Sequence, residues 1–145
     1  MAAFERHATV NWQGGLMDGS GDAKAGTGAF TLPVTFPSRI QDPAGRTSPE
    51  ELMAAAHAAC YAMALNATLG TKGASAERTD VTSKIIAELN NGITIHTAAL
   101  SVTVYGLKGL DAAEFPAVAA AAEQGCPVSK AYRGSLTITL DAKVG

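Results

Sequence analysis

Residues Ser48–Gly70 read SPEELMAAAHAACYAMALNATLG, and the folding of this stretch decides the rest of the chain. Ser48 can cap a helix, Pro49 suits its first position, and Glu51 stands three residues after Ser48, as a capping box requires. The spacing predicts a helix from about Pro49 to Leu69, ended by Gly70. It is rich in alanine, which leaves little bulk between elements and lets backbones approach closely. Such a helix, roughly 30 Å long, is expected to lie buried. A chain of 145 residues hardly covers it on all sides, so a second subunit is expected to pack against it.

On the N-terminal side, Phe4 to Trp12 and Ala29 to Phe36 read as strands, joined by a turn from Gly14 to Gly28 that holds six glycines. Next comes FPSRIQDPAGRTSP, Phe36 to Pro49, whose three prolines predict a restrained loop that delivers Arg39 and Arg46. On the C-terminal side, Val81–Leu89 and Ile93–Tyr105 flank Asn90-Asn91-Gly92, and Asn-Gly favours the positive φ angles of a tight hairpin. Asp111 and Glu114 form a second capping-box spacing and open a helix that Pro116 should kink or tighten and Gly125 should end. Cys126-Pro127 then reads as the cap and first position of a short helix, Pro127 to Tyr132. Ser135 to Val144 alternates Leu136, Ile138 and Leu140 with polar residues, giving a final strand with one wet face. The plan is α+β, in a single domain spanning residues 1–145.

Composition narrows the function classes. Eleven Lys and Arg against thirteen Asp and Glu give a net charge of −2, with no basic run and few aromatics, so nucleic acid is not an expected partner. Met1 to Gln13 lacks the apolar run of a signal peptide. No stretch approaches the roughly 20 apolar residues of a spanning helix, so the expectation is a cytoplasmic protein without a membrane partner. In that compartment two cysteines distant in sequence are expected to be free thiols rather than a structural disulfide.

Chemistry is therefore sought around Cys60 and Cys126. At about 100° per residue, Glu50, Met53, His57 and Cys60 share an arc of roughly 80° on one helix face. Ten residues separate Glu50 from Cys60, about 15 Å along the axis, so a glutamate acting on this thiol would have to come from a partner's helix. A mid-helix thiol in apolar surroundings needs a cation to become a thiolate; Arg39 and Arg46 are candidates, with His57 a turn away. Cys126, at a helix start, has backbone N–H groups nearby. Physics alone leaves either cysteine as the reactive one. A His-x-x-Cys metal site lacks the companion Cys-x-x-Cys, and a cysteine hydrolase lacks a recognisable oxyanion hole, so neither is the favoured reading. His57 is read chiefly as a hydrogen-bonded core histidine.

RTSPEELMAAAHAACYAMAL, Arg46 to Leu65, and CPVSKAYRGSLTITLDAKV, Cys126 to Val144, resemble the two signatures of the OsmC/Ohr family of organic hydroperoxide reductases, closer to the OsmC branch. The order of the intervening elements resembles the family over nearly the whole chain. The resemblance implies an OsmC-like α+β fold of antiparallel strand meanders around a long buried central helix, in an intertwined homodimer with sites at the subunit interface. It implies a thiol peroxidase without cofactors, part of an oxidative or osmotic stress response. By position, Cys60 matches the peroxidatic cysteine and Cys126 the resolving cysteine, and Glu50 matches the glutamate that holds the catalytic arginine. That arginine is assigned to Arg39 in the FPSR loop, with Arg46 in reserve. The partners so implied are an organic hydroperoxide substrate and a dithiol reductant, for which the resemblance suggests a lipoyl type with general thiols as alternatives. The rival reading is a redox-sensing or apolar-ligand-binding module of the same fold without turnover.

Overall fold

A computed structural model describes residues 2–145, and the chain divides after Pro49 into two compact units. In the first unit β1 (Ala8–Gln13), β2 (Ser20–Ala25) and β3 (Thr31–Val34) form an antiparallel sheet in that order. Strand β2 lies inside the stretch read as a glycine-rich turn. Its sequence, SGDAKA, buries Gly21, Ala23 and Ala25 on one face, with none of the bulky residues that usually advertise a strand. A Cβ at Gly21 would meet the Asn11 carbonyl oxygen at 2.7 Å, so this glycine marks a close backbone approach and not a bend.

The Phe36–Pro49 loop is also more ordered than expected. It opens with α1 (Phe36–Ile40), for which Thr35 is the N-cap, its hydroxyl accepting the Ser38 N–H at 3.2 Å. The following turn is held by the Arg46 N–H on the Pro43 carbonyl, and Thr47 is tied back to Pro33.

The second unit begins with α2 (Pro49–Thr71), an unbroken helix of 23 residues. It ends through Gly73, whose φ of +69° supplies the left-handed turn, rather than through Gly70. Strands β4 (Arg78–Leu89) and β5 (Ile93–Tyr105) form the expected hairpin, with Asn91 at φ +54° and Gly92 at φ +114°. The register shifts between Ile86 and Ala87 of β4, which pair with Thr97 and Ile95, so His96 is the extra, bulged residue of β5. A single 3-10 turn, Ala112–Glu114, tightens the start of α3 (Phe115–Gly125) ahead of Pro116. Helix α4 (Pro127–Tyr132) follows with Cys126 as its N-cap, then β6 (Thr137–Val144). The sheet order is β4-β5-β6, and β6 pairs parallel to β5. This departs from purely antiparallel meanders because the chain crosses over through α3 and α4 before returning, the kind of connection a parallel pair needs.

The core of this unit joins Tyr61, Leu65 and Leu69 of α2, Leu100, Val102 and Val104 of β5, and Phe115, Val118, Ala119 and Ala122 of α3. Helix α2 commits only the stripe His57, Tyr61, Leu65, Leu69 to full burial. Ala55, Ala56, Ala59, Met63 and Ala67 stay exposed, so burial on all sides is not achieved within one chain. The expectation that no segment reaches spanning length is also corrected: α2 is long and apolar enough to cross a membrane, with mean hydropathy 1.3 over 18 residues. Its many alanines contribute to that value, and its stripe of Tyr61, Leu65 and Leu69 belongs to the core just described.

Candidate active site

Helix α2 carries Cys60 into the side of the core, and the break between α3 and α4 brings Cys126 to it. The two side chains lie close enough for Cys126 to raise the Cys60 pKa, and Cys60 packs against the cluster that holds Cys126, although the residues are remote in sequence. Both are free thiols; Cys126 is fully buried and Cys60 partly exposed. The Val128 N–H, at the second residue of α4, is placed to favour a Cys60 thiolate. Sequence reasoning offered the N–H groups of this helix start to Cys126, but it is Cys60 that one of them favours, because the cap residue's side chain lies beside the opposing helix. Burial raises the Cys60 pKa, the Val128 N–H lowers it, and the neighbouring Cys126 raises it again, leaving a net upward shift. Within this unit, then, Cys60 rests as the thiol.

His57, three residues before Cys60, is 0 % exposed and fully engaged. Its Nε2 lies 2.7 Å from Ser129 Oγ on α4 and its Nδ1 3.3 Å from Ser83 Oγ on β4, while the Tyr132 ring packs edge-on at 5.2 Å between centroids. The reading of His57 as a core histidine agrees with this environment. Burial lowers its pKa below 6.5, opposed by the negative charge of Glu123. A histidine with a depressed folded-state pKa contributes stability above its unfolded value and loses it as pH falls through the folded one. The denaturation midpoint of the native chain is therefore expected to fall as pH is lowered below about 6.5, and that of His57→Gln to depend less on pH over the same window. Urea titrations at several pH values check this.

Sequence reasoning missed a second group around the thiols. Glu123, only 6 % exposed, accepts from Arg133 at 2.9 Å and from the Gln124 amide at 3.0 Å. This ion pair closes the turn on which Cys126 sits, joining the last residues of α3 to the residue after α4. The fully buried Tyr61 donates to the Ala119 carbonyl at 3.0 Å, and its pKa is pushed up by burial, then by Glu123 and Cys126. A carboxylate two residues before a helix-ending glycine carries no signal of burial by itself; its match with Arg133 appears only once the turn folds.

Beside Cys60 lies a groove of about 470 Å³ lined by Met63, Ala64, Ala67, Thr68, Ala122 and Pro127. Its walls are apolar, and Met63, 68 % exposed, stands at its rim. The remaining predicted residues sit elsewhere. Glu50 is in the first turn of α2, ten residues of unbroken helix from Cys60, about 15 Å along the axis. Arg39 is half-buried in the last turn of α1 and Arg46 exposed in the loop after it, both in the first unit. The structure thus brings together Cys60 and Cys126 within one unit.

An α+β chain with a long central helix and a pair of contacting thiols, one on that helix and one at a helix cap, defines a class of small thiol proteins. Residues 42–141 match the family described as OsmC-like protein. The chain is also 33% identical over 142 residues to peroxiredoxin OsmC of Escherichia coli (strain K12), covering 97% of this chain and 98% of that one. It is 33% identical over 95 residues to the organic hydroperoxide resistance protein OhrA of Bacillus subtilis (strain 168), 66% of each chain. Among solved structures, an organic hydroperoxide resistance protein OsmC from Legionella pneumophila superposes with a TM-score of 0.78 at 27% identity, covering 99% of this chain and 100% of the other. OhrB of Bacillus subtilis gives 0.72 at 27% identity, over 94% and 98%. The chain belongs to the OsmC-like family.

Proposed function

We propose that the protein is a cysteine-based peroxidase that reduces organic hydroperoxides to alcohols. The observation that carries the reading is the contact between Cys60 and Cys126 in one chain of this family, whose relatives include proteins named peroxiredoxin and organic hydroperoxide resistance protein. The Cys60 thiolate attacks the terminal peroxide oxygen, the O–O bond breaks, and the departing alkoxide takes a proton and leaves as the alcohol. Sulfur is oxidised to a sulfenic acid. The Cys126 sulfur then attacks Cys60, the S–O bond breaks, and the oxygen leaves as water, forming the disulfide. An external dithiol, of lipoyl type by family resemblance, returns the two electrons by thiol–disulfide exchange and is itself oxidised.

A thiol that rests protonated needs a cation to ionise it and to meet the alkoxide charge. Arg39 is our candidate, held by Glu50, with Arg46 in reserve; the 15 Å between Glu50 and Cys60 of one helix favours a glutamate from a second copy. The exposed alanine face of α2 offers that copy a close-packing surface, which supports the intertwined homodimer. The apolar groove beside Cys60 suits an alkyl or lipid-derived peroxide over hydrogen peroxide.

The test is turnover. With excess dithiol, the protein is expected to consume many equivalents of tert-butyl hydroperoxide per chain and to prefer it to hydrogen peroxide in kcat/KM. Consumption that stops near one equivalent per chain would replace this reading with a redox sensor.

A further inference from the structure

Three contacts between α2 and α4 form a ladder. The Tyr132 hydroxyl donates to the Met53 carbonyl at 2.9 Å, His57 Nε2 meets Ser129 Oγ at 2.7 Å, and Cys60 meets Cys126. Ascending numbers on α2 pair with descending numbers on α4, at steps of three or four residues, so each rung is one helical turn from the next. The thiol rung is the last, at the end of α4 where the chain turns over from α3. The middle rung is buried, since His57 and Ser129 are both 0 % exposed. Helix α4 has only six residues, too few to hold its own position without such anchors.

Disulfide formation is demanding in geometry. The sulfurs must close to about 2.0 Å with a dihedral angle near 90°, so small displacements of one backbone slow the step steeply. Resting on the peroxidase reading above, we infer that His57 and Ser129 are positioning residues for the resolving step: their hydrogen bond sets the register of α4 on α2 and so presents Cys126 to the Cys60 sulfenic acid. Neither residue touches the peroxide or the reacting sulfurs. The His57 nitrogen that matters is Nε2, because Nδ1 faces Ser83 on the sheet and leaves α4 alone.

Once the sulfenic acid exists, two reactions compete for it. The Cys126 sulfur closes the disulfide and releases water, or a second hydroperoxide oxidises Cys60 to the sulfinic acid and leaves as its alcohol. The ratio of the two products reports the closure rate and does not depend on how fast the sulfenic acid formed. Ser129→Ala is expected to raise the ratio of sulfinic acid to disulfide at fixed tert-butyl hydroperoxide about tenfold, the kinetic equivalent of one lost buried hydrogen bond. Two histidine variants separate the nitrogens. His57→Gln, whose amide nitrogen stands near Nε2, should stay close to the native ratio, whereas His57→Asn, whose amide nitrogen stands near Nδ1, should match Ser129→Ala. Ser83→Ala should leave the ratio unchanged.

Mass spectrometry after quenching with an alkylating agent gives the ratio for each intact variant. A native ratio in Ser129→Ala, or equal defects in His57→Gln and His57→Asn, would overturn the inference while leaving the peroxidase reading intact. Absence of the disulfide from the peroxide-treated native protein would remove the peroxidase reading itself.

Discussion

Cys60→Ser is expected to lose dithiol-dependent reduction of organic hydroperoxide by a factor on the order of 10³ or more, since a hydroxyl at this position is neither acidic nor nucleophilic enough to attack peroxide oxygen. Cys126→Ser is expected to differ in kind. Its Cys60 should still react with the first equivalent of peroxide, because the Val128 N–H and the apolar groove remain. Regeneration should then fail or pass to external thiols, with sulfinic acid accumulating on Cys60. Steady-state assays and mass spectra of the two variants check this difference. Full activity in Cys60→Ser would show that the chemistry lies elsewhere.

The largest expected effect on stability comes from Phe115→Ala. Phe115 is fully buried at the start of α3, within the cluster that joins α2, β5 and α3. Removing the ring deletes both its buried surface and its packing partners, a change that costs about 3–5 kcal/mol in well-packed cores. The site has little means of collapsing, because Pro116 and the 3-10 turn before it fix the backbone on either side. Chemical denaturation should show the loss as a lower midpoint. Activity per folded molecule should persist, since Phe115 is not among the residues lining the groove beside Cys60.

How far the sequence carries depends on the kind of signal each feature leaves. Helix α2, the Asn-Gly hairpin, the Cys126-Pro127 start of α4 and the wet-faced β6 were all legible, because caps, turn residues and alternation act over a few residues. Strand β2 was not, since its inward positions are Gly21, Ala23 and Ala25, and glycines that permit close approach look like glycines that permit a turn. Helix α1 was hidden among prolines, one of which occupies its first turn. The two cysteines were identifiable as the chemical residues, but nothing local states that they meet; family resemblance supplied that expectation. Ser83 and Ser129 could not be matched to His57 for the same reason, nor Glu123 to Arg133. A pattern was present all the same: His57 precedes Cys60 by three residues and Ser129 follows Cys126 by three, the spacing at which two helices that share one contact share a second.

The most direct test treats the native protein with one equivalent of an organic hydroperoxide and maps its cysteines by non-reducing mass spectrometry. The expected product is a Cys60–Cys126 disulfide within one chain, lighter by the two thiol hydrogens and without cross-linked chains at any protein concentration. A link between chains whose rate rises with protein concentration, or an oxidised Cys60 beside a Cys126 that still alkylates, would contradict the paired-thiol mechanism.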